Sequence, residues 1–273
     1  MLIAQLTDLH IKPPGRMAYN RVDTASLLRE AVASVLAQHP VPDVVLLTGD
    51  LTDAGRPEEY ALLRALLAPL GRPVYAIPGN HDDRAAMRAG FADQGYLPQD
   101  GEFLHYVVED HPVRLIGLDS VIPGDAGGAL CAARLAWLEG ALSAAPARPT
   151  IVFVHHPPFA TGIAHMDRIG LAGAAPFAAL IRRHAQVERV LAGHLHRSIQ
   201  ARWAGTIAST APSTAHQVTL DLTPEGPASF NLEPPGYQLH LVTPSGGVVS
   251  HTVTVGRFPG PYPFRDASGA LID

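Results

Sequence analysis

Asp8 with His10, then Asp50, Asn80 with His81, His155 with His156, and His194 with His196 are the residues whose types and spacing could do chemistry in this chain. Carboxylate, imidazole and amide oxygen are donors for first-row divalent metals. In Asp8-Leu9-His10 and again in His194-Leu195-His196, one residue separates the two polar ones. In an extended segment such pairs point to one side. Asp50 follows Gly49, and a carboxylate there can give one oxygen to each of two cations, which a single imidazole cannot do. Asp50 is therefore the expected bridge of a two-metal site. In Gly79-Asn80-His81-Asp82, glycine permits close approach of backbone to a ligand and Asn80 offers a neutral oxygen. His81 lacks a metal-ligand spacing of its own, which suits a place above the metals. Ahead of Pro157 and Pro158, His155 is the expected ligand, and His156 is expected to turn to supporting hydrogen bonds.

These residues need strands that end together. Leu2–Leu6, Asp43–Thr48, Val74–Ile77, Ile151–Val154 and Val187–Leu191 are short apolar runs, and each chemical group follows one of them. In open α/β sheets that end of a strand faces the ligand crevice. Helices are predicted between them. One starts at the N-cap Asp23 and runs to about Gln38, one runs from Pro57 to about Leu70, one covers Leu130–Leu142, and one lies near Ala174–His184. Phe103–Glu109 and Pro112–Asp119 read as paired strands, with His105 and His111 as ordinary hairpin residues. Strands alternating with helices predict a layered α/β domain. From about Arg197 the chain turns rich in Thr, Val, Pro and Gly, with alternating runs at Gln217–Leu222, Tyr237–Val242 and Val248–Val255. These predict antiparallel strands followed by a poorly specified tail, Gly256–Asp273. His216 stays open between a pocket residue and an incidental one.

Composition removes several function classes. With 47% apolar residues over 273 positions a sizeable core is expected. A net charge of −5 without a basic run opposes a general nucleic-acid surface. Cys131 is the only cysteine, which excludes an intrachain disulfide and a thiolate metal cage. Met1 runs directly into LIAQLTDLH, with no basic region ahead of a cleavable apolar one, and no apolar run reaches membrane-spanning length. A cytoplasmic protein is the expectation.

Taken in order, DLH, GD, GNHD, HHPP and GHLH resemble the five-block signature of the calcineurin-like metallophosphoesterase superfamily, from Leu2 to His196. GRPEEY (Gly55–Tyr60), IPGNHDD (Ile77–Asp83), Met166-Asp167 and AHQV (Ala215–Val218) look similar to its bacterial branch of glycerophosphodiesterases and class III cyclic-nucleotide phosphodiesterases. The resemblance implies a four-layer α/β/β/α sandwich with a catalytic core over residues 1–196. Residues 197–273 would supply strands that complete the core and form cap and oligomer contacts, so a homo-oligomer is expected. By the family pattern Asp8, His10, Asp50 and His196 would hold one divalent ion, and Asp50, Asn80, His155 and His194 the other. His81 and Asn80 would face the substrate phosphoryl group, with His216 and Tyr19 in the pocket.

The implied reaction is hydrolysis of a small-molecule phosphodiester. Asp8 and Asp50 return only part of the charge that two divalent ions bring, so the site attracts a phosphodiester monoanion. A water shared by ions about 3.5–4 Å apart loses its proton near neutral pH, and the ions steady both oxygens of an in-line displacement. Asp, His and Asn donors suit Mn, Fe, Co or Zn. The alternatives are a monoesterase, a nuclease, or a binding protein on the same fold.

Overall fold

The structure is a computed structural model that describes residues 1–272. In chain order the first half contains β1 (Leu2–Leu6), α1 (Thr24–Leu36), β2 (Val44–Thr48), α2 (Pro57–Leu67), β3 (Val74–Ile77), α3 (Arg84–Gly90), β4 (Tyr106–Val108) and β5 (Arg114–Leu118). Then come β6 (Gly128–Ala129), α4 (Ala132–Ser143), β7 (Thr150–Val154), α5 (Ala164–Asp167), β8 (Leu171–Ala172), α6 (Ala174–Ile181) and β9 (Val187–Ala192). The chain closes with β10 (Ile199–Trp203), β11 (Thr206–Thr210), β12 (Gln217–Val218), β13 (Phe230–Asn231), β14 (Gly236–Val242) and β15 (Val248–Thr254). Asp23 caps α1 as its sequence suggests, its carboxylate accepting from the Ser26 N–H at 3.0 Å. Pro57 opens α2, where a missing N–H costs nothing.

Two mixed sheets run β15-β14-β1-β2-β3 and β10-β11-β9-β7-β5-β4. β1, β2 and β3 are parallel, as are β5, β7, β9 and β11. The alternation of side chains along a strand then builds the layers. Ile151 and Phe153 of β7 join a core shared with β1–β3 and helices α1–α3, whereas Val152 and Val154 join a second core with α4 and α6. The result is helices, sheet, sheet, helices, the four-layer sandwich that the sequence motifs imply.

After residue 197 four strands divide between the sheets, and β12 and β13 pair with each other as a separate ribbon. β10 and β11 extend the second, while β14 pairs antiparallel with β1 and carries β15 as an edge of the first. Between the sheets Gln5 donates to Thr48 Oγ1 (3.0 Å) and the Ala192 carbonyl (2.9 Å), and its own oxygen lies 3.0 Å from His240 Nε2. This buried polar link ties β1, β2, β9 and β14 together just behind the strand ends that bear the chemistry. Among the described residues no helix is long and apolar enough to cross a membrane.

Candidate metal centre

Five strand ends converge, three from the first sheet (β1, β2, β3) and two from the second (β7, β9). The turns beyond β1, β2 and β9 are backbone-strained. Asp8 (φ 53°), His10 (44°), Asp50 (48°), His194 (69°) and His196 (50°) all adopt left-handed conformations that residues with a Cβ avoid. Such conformations persist only where surrounding structure over-determines them, and they mark functional sites. Gly49, at φ 94°, is required by closeness as well, since a Cβ there would run into the His155 ring. A Cβ on Gly79 would likewise strike Asp50.

The histidine rings are oriented by backbone carbonyls. His155 Nδ1 lies 2.8 Å from the Thr48 carbonyl, His196 Nδ1 2.8 Å from that of His216, and His194 Nε2 3.1 Å from that of Ile169. A carbonyl only accepts, so the ring proton sits on that nitrogen and the other nitrogen turns a lone pair away from it. His10 Nε2 and His196 Nε2 come within 3.2 Å of each other, and His155 Nε2 is 3.1 Å from Asn80 Oδ1. Asp50 Oδ2 stands 3.7 Å from His10 Nε2 and 3.5 Å from His155 Nε2, while Asp8 Oδ1 is 3.5 Å from His196 Nε2. Buried acceptor atoms this close need positive charge between them, so the donor set fits divalent cations.

In the metal-free protein protons carry part of that charge. Burial alone would lower His155, but Asp50 reverses it and pushes the ring up to about 9. Burial would raise Asp50, and His155, His81 and His10 together hold it well below the carboxylate range. Asp8 is lifted to about 6 by burial, against the pull of His155. His194 and His196 are driven down to about 3, by burial first and then by the imidazolium of His155 and of His10 respectively. A site that holds some histidines neutral and others charged is prepared to exchange its protons for metal.

His81 sits above this cluster. Its N–H donates to Asp50 Oδ1 at 2.9 Å and its Nδ1 lies 2.9 Å from the Asp53 carbonyl, so Nε2 is its free nitrogen. Its ring meets that of His10 edge-on, centroids 4.7 Å apart. His216 is buried beside His196, centroids 4.5 Å apart, with Nδ1 lacking a hydrogen-bond partner. Tyr19 is half exposed and stands edge-on to His216 at 5.2 Å. All three line a cavity of about 330 Å³ with Asn80, Asp50, His10, His194 and His196. His156 turns aside, its Nδ1 2.8 Å from Ser120 Oγ and its Nε2 3.2 Å from the Ala126 carbonyl.

Sequence reasoning missed three contributors. Asp53, whose side chain is ion-paired with Lys12, places Oδ1 3.5 Å from His10 Nδ1. Asp82 collects N–H groups from Leu51, Thr52 and Gly79 and hydroxyls from Thr52 and Tyr60, all within 3.1 Å. Its position in the GNHD block was a signal available to the eye. Phe230 packs on Tyr19 with centroids 4.7 Å apart, and nothing in the sequence around it announces that.

Residues 1–198 match the description of the calcineurin-like phosphoesterase family. The chain belongs to that family. It is 41% identical over 274 residues to a probable glycerophosphodiester phosphodiesterase of Arcobacter nitrofigilis, with 100% of both chains covered. It is 37% identical over 255 residues to a probable cyclic nucleotide phosphodiesterase of Rhodopseudomonas palustris, covering 92% of this chain and 91% of that one. A dimetal phosphatase of Danio rerio shares the fold, with a TM-score of 0.62 at 16% identity over 94% of this chain and 99% of its own.

Proposed function

We propose that this phosphoesterase is a binuclear metal-dependent phosphodiesterase acting on small diesters, glycerophosphodiesters or 3',5'-cyclic nucleotides. One observation carries the reading: Asp50 Oδ2 stands 3.7 Å from His10 Nε2 and 3.5 Å from His155 Nε2, while Oδ1 accepts the His81 backbone N–H. One oxygen would therefore serve both ions, rather than one oxygen each as the sequence suggested. Asp8, His10, Asp50 and His196 would hold one ion, and Asp50, Asn80, His155 and His194 the other. Bound there, two divalent ions supply Lewis-acid charge and an activated water. The oxygen and nitrogen donors suit Mn, Fe, Co or Zn.

The chain's own groups do the rest. With Nδ1 held by the Asp53 carbonyl, His81 can carry a second proton at Nε2, within the cavity, and pass it to the departing alkoxide. Asn80, His216 and Tyr19 border the space the ester arms must enter. Cys131, the only thiol, stands exposed just ahead of α4 and belongs to no such constellation. The relatives named for glycerophosphodiesters and cyclic nucleotides support diesters over monoesters. The same reading extends to a homo-oligomer built on the β15 edge, whose free backbone groups another chain can cover. Light scattering that gives a monomer at micromolar concentration contradicts the assembly.

A paired assay tests the activity. Metal-loaded protein should turn over bis(p-nitrophenyl) phosphate at least about tenfold faster, as kcat/KM, than p-nitrophenyl phosphate, a gap of about 1.4 kcal/mol in the barrier. Preference for the monoester would reject the diesterase reading.

A further inference from the structure

Tyr19, Phe230 and His216 form an aromatic corner at the mouth of the cavity. Phe230 packs at a tilt on Tyr19 (4.7 Å, 32°) and edge-on to His216 (5.0 Å, 69°). It is held there by the β12–β13 ribbon, where Phe230 pairs with Val218. Beyond the polar floor already described, the cavity is lined by Met166, Ile169, Val218, Ala228 and Phe230, with only His165 and Ser229 as further side chains able to hydrogen-bond. The space, about 330 Å³, is of a size that encloses one compact substituent.

That lining discriminates between kinds of ester arm. A glycerol arm carries hydroxyls that must keep hydrogen bonds when they leave water, and an unmade one costs about 1–3 kcal/mol. The wall of Met166, Ile169, Val218 and Phe230 offers none, which leaves His216, Tyr19, His165 and Ser229 as the cavity's hydrogen-bonding side chains outside the candidate ligands and His81. A planar aromatic or heteroaromatic arm gains from the same wall, since Phe230 is only partly buried and ring pairs prefer offset and edge-on contact. We propose that Phe230 is a specificity-determining residue, and that the substrate carries a planar aromatic or heteroaromatic arm seated against it. This rests on the phosphodiesterase reading for its substrate class, but the seat itself is a property of the cavity.

Binding of monoester ligands tests it without turnover. With Mn²⁺-loaded protein, calorimetry should give phenyl phosphate a Kd about tenfold lower than that of glycerol 3-phosphate. Phe230→Ala should bring the two constants within about twofold by weakening phenyl phosphate alone, and Phe230→Trp should keep the gap. A wild-type protein that binds glycerol 3-phosphate as tightly overturns the proposal. So does a Phe230→Ala variant that loses both ligands equally, which would make the residue a structural prop. Absence of diester hydrolysis in a protein that retains the binding gap would reject the activity and leave the aromatic seat standing.

Discussion

At the scale of the residue, the centre is organised by pairs of acceptors that face one another and by one histidine that does not join them. His155, His194 and His196 each spend one ring nitrogen on a backbone carbonyl, which fixes the direction of the other. His81 spends Nδ1 the same way and lines the cavity, and Nε2 is the nitrogen we propose to meet the substrate. A proton from Nε2 matters most where the leaving group is a poor one, and general acid help is then worth roughly 10²–10⁴-fold. His81→Ala should therefore depress turnover of an alkyl phosphodiester at least about tenfold more than that of a nitrophenyl one, metal content remaining near wild type. Equal losses on both substrates would assign His81 to positioning alone. The candidate ligands that the structure brings together were legible in the sequence because carboxylates and histidines stood at fixed short spacings. Asp53 was not, because its value comes from Lys12 and His10 meeting it across the gap between two loops.

At the scale of the element, what matters is that turns from both sheets are held at fixed distances. Asp82 does this for the loops after β2 and β3, accepting from Leu51, Thr52, Gly79 and Tyr60. Asp82→Ala would leave several buried donors unpaired, each costing about 1–3 kcal/mol, so unfolding free energy should fall by about 3 kcal/mol or more. Urea denaturation of the metal-free protein measures it, and a loss under about 1 kcal/mol would deny Asp82 that bracing role. The strands that deliver the candidate ligands were readable from their apolar runs and the polar block after each. The partners of the later strands were not. Nothing local tells that β10 and β11 extend one sheet while β14 and β15 extend the other. That choice depends on contacts such as Gln5 with His240, residues far apart in sequence and polar where a core strand is expected to be apolar. β13 is two residues long, too short for any periodicity to reveal Phe230.

At the scale of the molecule, the fold keeps a set of imidazoles neutral inside it. His194 and His196 are held near 3 as described, and burial followed by Arg189 lowers His240 to about 3. An unfolded histidine titrates near 6.5, so below that pH the unfolded chain binds more protons than the folded one. The stability these three contribute is complete above pH ~6.5 and is lost as the pH falls toward 3, at up to about 1.4 kcal/mol per unit for each. Asp8, its contribution lost as pH rises through about 6, acts in the opposite sense, as do the raised His10 and His155, and together they offset part of this. The metal-free protein should be less stable at pH 5 than at pH 7 by chemical denaturation, and an equal or greater stability at pH 5 would contradict the burial of neutral rings.

The account stands on Asp50 serving two ions at once, and metal stoichiometry tests that most directly. Elemental analysis of protein loaded with Mn²⁺ and freed of excess should find two ions per chain in the wild type. Asn80→Ala, which removes one neutral oxygen facing His155, should retain at least one of them. Asp50→Ala should retain the least, because Oδ2 of its carboxylate stands within 3.7 Å of both His10 and His155. A wild-type protein with a single ion, or an Asp50→Ala protein holding as much metal as Asn80→Ala, would contradict the bridged two-metal centre.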